Sequence, residues 1–487
     1  MALVLLCGAI LAACGGAGST TASSPTPQPR PTGPAAVLTG PLTAGTGVFI
    51  GSPVTVNLQQ AGYVEQEFDA SGTATSYRDS GALTADGHWS FVPNGTAPYR
   101  TRVLVRRTAD PARFSGTVVV EWLNVSGGVD ADPDWATLHD ELIRQGDIWV
   151  GVSAQLIGVM GGPVLVTVPG VAGAGVVGAG LVKIDPARYG NLSHPGDGFS
   201  FDIYTQVARA ARAGNGLGGL KPRTVLAIGE SQSAFALVTY YDGVQPLTGE
   251  FDGFFVHSRG AVGLPLVGPG ASADLASAIA GTPVIFRTDQ PAPVLDVQSE
   301  SDVTSVLDSY RARQDDSDRF RLWEVTGTAH ADAHLLGSTA GAIDCGVPIN
   351  NGPMYLVAEA GLGALTTWVR TGRAPVTAPR IEVAPGATPQ VQRDPDGIAL
   401  GGIRTPPVDV PVATLSGAPS PNPSVICLLL GSTTPFTAGR LAQLYPSPAA
   451  YLARYDADAD ATIRAGFVLP EDRTGLLAFA DPSALAG

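Results

Sequence analysis

Apolar runs with strand character recur along the chain, and several are followed by stretches of helical composition. Tyr63 to Tyr77 and Tyr99 to Thr108 alternate apolar and polar positions and carry β-branched residues, which predicts two strands joined through turns. Thr117-Val118-Val119-Val120-Glu121-Trp122-Leu123 is nearly continuous in apolar residues and predicts a strand buried on both faces. It runs into Asn124-Val125-Ser126-Gly127-Gly128, and a helix is predicted over Pro133 to Gln145. Asp147 to Ser153 is the next apolar strand, Phe201 to Ala213 an amphipathic helix, and Thr224 to Ile228 another short buried strand. Buried strands alternating with helices predict an α/β protein with a mostly parallel sheet and helices on both faces.

One segment breaks the alternation. Gly161 to Lys183 holds Gly, Val and Ala with no charge before Lys183, too rich in glycine for a helix. It is expected to belong to a cap-like insertion, about residues 156–200, over the carboxyl edge of the sheet. A membrane-associating hairpin is the weaker alternative. The remainder, residues 40–487, is expected to form a single domain. Its 61 glycines and 40 prolines predict many loops, and 44% apolar residues suffice for a core.

Charge removes one class of partner. The net charge is −14, and the 29 Lys and Arg residues are spread thinly without a basic run, so no surface for nucleic acid is expected.

The first residues, MALVLLCGAILAA, are too few to span a bilayer of about 30 Å. Leu11-Ala12-Ala13-Cys14 before Gly15 resembles a bacterial lipobox, in which the Cys is acylated, although no Lys or Arg precedes the apolar run. Residues 1–14 are therefore expected to be a lipoprotein signal with Cys14 as the lipidation site. Export to the cell envelope and a membrane anchor follow from that expectation. Residues 15–39, rich in Ser, Thr, Pro and Gly, are expected to be a disordered tether. With Cys7 in the leader and Cys14 lipidated, Cys345 and Cys427 remain. They are a candidate disulfide worth on the order of 4 kcal/mol by loop closure, with two buried free thiols as the equal alternative.

Candidate chemistry begins at Gly229-Glu230-Ser231-Gln232-Ser233. A buried strand precedes it and Ala234 to Tyr241 has helical composition, so strand, G-x-S-x-small and helix make a nucleophile elbow with Ser231 at its tip. Ser233 stands where a second Gly is usual and is still small. Other G-x-S triplets, such as Gly151-Val152-Ser153, lack that context. Pro293 to Asp302 reads as a strand with carboxylates at its end, and Arg321 to Val325 as another that leads to Gly327-Thr328-Ala329-His330. Carboxyl ends of parallel strands converge on one side of a sheet. Ser231 as nucleophile, His330 as base and Asp302 as its orienting acid follow, with Glu300 the rival acid. The oxyanion hole is assigned to the backbone N–H groups of Gln232 and of Val125 in the loop after the Thr117–Leu123 strand.

Other polar residues carry weaker readings. His330 and His334 have a zinc-compatible i, i+4 spacing, but the Glu that follows the first His in metalloproteases is missing and no third ligand is evident. His257 and His194 are read as structural, with a place lining the pocket as the weaker alternative. Asp456-Ala457-Asp458-Ala459-Asp460 fails as a calcium loop, with Ala461 and Phe467 where Gly and Glu are required, and is read as a solvated acidic stretch. No metal or cofactor is expected.

Five segments, Val119 to Gly128, Gly229 to Ser233, Gly327 to Asp332, Gly401 to Pro406 and Leu430 to Phe436, resemble the secreted bacterial α/β-hydrolase domain proteins. The resemblance covers roughly residues 40–485. It implies an α/β-hydrolase fold with carboxyl-terminal elaborations and an esterase-like Ser-Asp-His or Ser-Glu-His mechanism without a cofactor. Hydrolysis of a small-molecule carboxylic ester is the expected function. The rival is a catalytically silent lipoprotein that binds a ligand on a hydrolase scaffold.

Overall fold

A computed structural model describes residues 30, 32–52, 54, 56–167, 175–386 and 388–485. The leader and Cys14 lie outside the described residues. The described residues from 32 to 485 form one compact unit.

Its frame is a nine-stranded sheet. The strands are β1 (Val37–Thr39), β2 (Tyr63–Asp79), β3 (Phe91–Thr108), β4 (Thr117–Trp122), β5 (Ile148–Val152), β6 (Thr224–Glu230), β7 (Gly253–His257), β8 (Val294–Ser299) and β9 (Phe320–Val325), in the order β1-β2-β3-β5-β4-β6-β7-β8-β9. The six strands from β5 to β9 in that order are mutually parallel, and β1, β2 and β3 join antiparallel at one side. The expected α/β-hydrolase architecture is present.

Period two sorts the side chains of the central strands onto two faces. Val118, Val120, Val225 and Ala227 enter one core with α2 (Ser200–Arg212) and α3 (Gln232–Thr239). Val119, Leu226 and Ile228 enter the other with α1 (Pro133–Gln145) and α4 (Met354–Thr371). With helices on both faces, β4 and β6 have no exposed position, which is why their sequences read as near-continuous apolar runs.

Local chemistry sets the helix ends. Asp132 at the N-cap of α1 makes no side-chain cap bond; the Glu121 carboxylate of β4 instead accepts the N–H groups of Asp134 and Trp135 at 3.0 and 2.9 Å. Gly146 ends the helix at φ 74°, and a Cβ there would lie 1.9 Å from the Arg113 carbonyl oxygen, so only glycine fits.

The chain turns one way from β4 to β5 and the other way from β6 to β7. The carboxyl ends of the adjacent strands β4 and β6 therefore flank a topological switch point, where open α/β sheets bind ligands.

Two boundaries differ from expectation. The tether ends earlier than residue 39: Ala36 is buried and β1 pairs with β2, so the domain begins ahead of Gly40. Three residues are too few to show a period. Strand β3 also starts earlier than Tyr99, because residues from Phe91 onward, Pro93, Asn94 and Gly95 included, belong to the outer end of the β2–β3 ribbon.

The chain beyond α4 returns to the sheet. The Ile403 N–H donates to Glu324 O at 2.7 Å, and its carbonyl accepts from Thr326 at 2.9 Å, which covers the end of edge strand β9. A last long helix, α5 (Pro448–Ala465), places Ala459 against the α1–α4 core. Within α5, Asp456 and Asp460 grip Arg473 at 2.6 and 2.8 Å, so the acidic stretch has an internal partner. Cys345 and Cys427, both buried, are joined as a disulfide with Cα atoms 5.4 Å apart. No helix among the described residues is long and apolar enough to cross a membrane.

Candidate active site

Ser231 sits between β6 and α3 at φ 58° and ψ −123°, a conformation disfavoured for a residue with a side chain. Two hydrogen bonds hold it there: its N–H donates to His257 O at 2.9 Å and its carbonyl accepts from Phe235 N–H at 3.2 Å. The turn brings residues 229 and 233 close together. A Cβ on Gly229 would meet the backbone and Cβ of Ser233 at 3.0 Å, so the first position requires glycine and the last a small residue.

His330 arrives from the loop after β9, and its main-chain N–H donates to Ser301 Oγ at 2.7 Å. Its Nε2 lies 2.8 Å from Ser231 Oγ and its Nδ1 lies 2.8 Å from Asp302 Oδ1. With the ring neutral, Nδ1–H donates to Asp302 and Nε2 accepts the serine hydroxyl. Asp302 is the third residue of the short helix Glu300–Thr304, where its Oδ2 accepts both the N–H and the Oγ–H of Ser299 at 2.7 Å. Burial works to raise the Asp302 carboxyl, but His330 and the Ser299 hydroxyl outweigh it and leave it below the usual range. It is therefore ionised at neutral pH.

Glu300, the rival acid, is committed elsewhere. Its Oε2 accepts Gly327 N–H at 2.8 Å, and its Oε1 accepts Gly417 N–H at 2.8 Å and pairs with Arg393 at 2.6 Å. It ties the carboxyl-terminal region to the strand ends.

The two assigned oxyanion donors stand in different states. The N–H of Gln232 opens α3 beside Ser231, where the first helical turn has no acceptor of its own. The N–H of Val125 makes a long 3.4 Å contact with Gln232 Oε1. That side chain belongs to a buried relay: Gln232 Nε2 donates to Gln155 Oε1 at 2.5 Å, which also accepts Trp122 Nε1–H at 2.9 Å. Asn124 Nδ2 donates to the carbonyl of Glu230 at 3.2 Å, tying the β4 loop to the elbow. Gln155 escaped the sequence reading, though its place just past β5 was the available signal.

Glu230, the residue before Ser231, was also missed. Its Oε1 lies 3.3 Å from His330 Nε2. On its other side, His257 Nδ1 contacts Asp134 Oδ1 at 3.0 Å. Burial pushes Glu230 up to about 7 against the pull of His330 and His257. Burial opposes charge on His330, yet Glu230 and Asp302 together carry it up to about 9.

The remaining histidines divide plainly. His194 makes a 2.8 Å contact from Nε2 to Ala154 O and accepts Gly196 N–H at 3.2 Å. His334 stacks on Tyr355 with ring centres 3.8 Å apart, while both ring nitrogens of His330 are engaged, so the two do not meet as a ligand pair. Among the described residues no cluster of three or more His, Cys, Asp or Glu could hold a metal ion.

A cavity of about 150 Å³ opens above Ser231 and His330. The β4 loop supplies Asn124, Ser126 and Gly127, and the insertion supplies Val166, Thr167 and Val177. Leu335, Leu336, Ile426 and Leu429 complete an apolar wall. Val166 is fixed by its N–H to Ser126 O at 2.9 Å, which seats this part of the chain against the β4 loop.

Sheet, elbow and cavity define a protein of the α/β-hydrolase class. Residues 38–478 match the family described as alpha/beta hydrolase domain, and the chain belongs to it. No curated protein matches the chain. Solved structures similar to it include a serine hydrolase without a lid from Xanthomonas campestris, at 12% identity over 55% of this chain and 90% of that one, with a TM-score of 0.28. Carboxyl esterase 2 from the fungus Tuber melanosporum is 12% identical over 60% of this chain and 88% of its own, with a TM-score of 0.26. An esterase domain from Rhodothermus marinus is 12% identical over 61% and 98%, also with a TM-score of 0.26.

Proposed function

We propose that the protein is a serine hydrolase that cleaves a carboxylic ester through an acyl-enzyme. The relay from Asp302 through His330 to Ser231, with both contacts at 2.8 Å, carries this reading. In the first half-reaction Ser231 Oγ bonds to the acyl carbon as its proton passes to His330 Nε2, and the carbonyl π pair moves to oxygen. The negative oxygen is met by the Gln232 N–H, with the loosely held Val125 N–H as second donor. Collapse of the adduct breaks the bond to the alcohol oxygen, which takes the proton from Nε2 as it leaves. Water then repeats the sequence in reverse, with His330 accepting its proton, and releases the acid. These steps require no cofactor. The apolar wall of Leu335, Leu336, Ile426 and Leu429 suits an apolar portion of the substrate. The lipobox-like run ending at Cys14 supports export and a lipid anchor, on the sequence alone.

Mass spectrometry after exposure to a fluorophosphonate tests the reading. Wild type should gain a single adduct on Ser231 with loss of fluoride, and His330→Ala should label far more slowly or not at all. A folded wild type that stays unlabelled would favour ligand binding on an inert scaffold.

A further inference from the structure

Glu230 is an expensive residue to place where it is. Its side chain is 5% exposed, beneath an apolar cavity and next to the nucleophile. A carboxylate so withdrawn from water costs free energy unless opposite charge or donors compensate it. A glutamine or methionine would fill the same volume without that cost. The groups facing it can be named element by element. The loop after β9 brings His330, whose Nε2 is 3.3 Å from Glu230 Oε1. The end of β7 brings His257, which is itself paired with Asp134 from α1 at 3.0 Å. The Glu300–Thr304 helix brings Asp302 on the far side of the His330 ring, 2.8 Å from Nδ1. Both nitrogens of His330 thus face a carboxylate, and Nε2 faces Ser231 Oγ as well.

We propose that Glu230 is a positioning residue, a second carboxylate on His330 that holds the imidazole in its charged form and so makes the triad an alkaline catalyst. The inference rests on the serine-hydrolase reading and deepens it. A protonated Nε2 donates toward Ser231 Oγ and Glu230 Oε1 together and cannot accept the serine proton. Loss of that proton to solvent frees the Nε2 lone pair, and only then does His330 act as base. When the serine proton arrives during attack, the same carboxylate stabilises the imidazolium that forms. Glu230 itself gains no covalent bond, and it leaves the proton on Nε2 for the departing alcohol.

The direction of the electrostatics agrees. Glu230 and Asp302 carry His330 up to about 9 despite its burial, and His330 and His257 pull against the burial of Glu230, which still reaches about 7. Protons so closely placed come off in steps that belong to the pair. Between those values the pair is carboxylate and imidazolium, and above the higher one the base is free. With a midpoint near 9, about 1% of the base is free at pH 7 by the tenfold-per-unit rule.

The rate of fluorophosphonate labelling against pH tests this without knowledge of the substrate, because labelling of free enzyme needs the same proton transfer. Wild type should label with a rate that rises to a midpoint near pH 9. In Glu230→Gln the midpoint should fall by at least one pH unit, with labelling at pH 7 faster by about tenfold. Glu230→Asp, whose carboxylate is drawn back by one methylene, should fall between the two and decides the matter alone if the glutamine variant does not fold. A midpoint that stays at the wild-type value in the folded variants overturns the role of Glu230 and leaves the triad standing. A merely structural Glu230 would change stability and amplitude without moving the midpoint. Wild type that labels at no pH overturns the serine-hydrolase reading itself, and this inference with it.

Discussion

Two carboxylates two residues apart, Glu300 and Asp302, face different partners from one short helix: Asp302 meets His330, and Glu300 holds Gly327, Gly417 and Arg393, so the proposed reading assigns catalysis to the first and stability to the second. Asp302→Asn preserves shape but can turn its amide N–H toward His330 Nδ1, favouring the wrong tautomer. The expected cost is about 10⁴-fold in kcat on a p-nitrophenyl ester, the scale for a serine-triad aspartate. Glu300→Gln leaves the contacts of His330 intact and weakens those to Gly417 N–H and Arg393. Because Arg393 is 25% exposed, the loss should be modest, about 2 kcal/mol in urea unfolding, with kcat within a few-fold of wild type. Equal loss of kcat in both variants would contradict the division. The sequence left this choice open because both residues follow the same strand, and only the direction of each side chain separates them. Glu230 was illegible for a related reason. Its partner His330 lies 100 residues away, on a loop whose approach depends on the whole sheet.

Elements were legible in proportion to how far their burial simplified the pattern. Strands β4, β5 and β6 have both faces covered and announce themselves as apolar runs, and α1 and α2 show a polar and an apolar side. Helix α4, MYLVAEAGLGALTTWVRT, is apolar around most of its circumference and holds two glycines, so no stripe marks it. Strand β7 carries no strand reading in the sequence, because five residues without alternation give little signal. The walls of the cavity belong to segments that have no periodicity at all. Leu335 and Leu336 precede Cys345, and Ile426 and Leu429 flank Cys427, so the disulfide binds two halves of one wall. The bridge spans 82 residues, and the chain-entropy model gives it about 4 kcal/mol. Cys345→Ala with Cys427→Ala should therefore lower the urea midpoint, and the loosened wall should raise KM for apolar esters more than it lowers kcat. An unchanged midpoint would mean that packing alone holds the wall.

At the scale of the whole molecule, a chain of this length would ordinarily divide into more than one domain. Here the carboxyl-terminal third does not stand apart. Ile403 hydrogen-bonds along the edge of β9, the Gly417 N–H is held by Glu300, and Ala459 of α5 packs in the same core as Trp135 of α1. Ile426 and Leu429 from this region also wall the cavity over Ser231. A region that shares the sheet edge, a core and the site cannot unfold without exposing the apolar surface of the rest. Urea unfolding should then show one transition, with tryptophan fluorescence and competence for fluorophosphonate labelling lost together. Three of the six tryptophans, Trp122, Trp149 and Trp323, sit on β4, β5 and β9, and Trp135 and Trp368 sit on α1 and α4, so fluorescence reports chiefly the sheet and the helices packed on it, while labelling reports the elbow and the loop of His330. Labelling lost well before the main fluorescence change would mean that the site opens while most of the sheet stays intact. Coincident loss would mean that the Ser231–His330 site and the layer above it are parts of one cooperative structure.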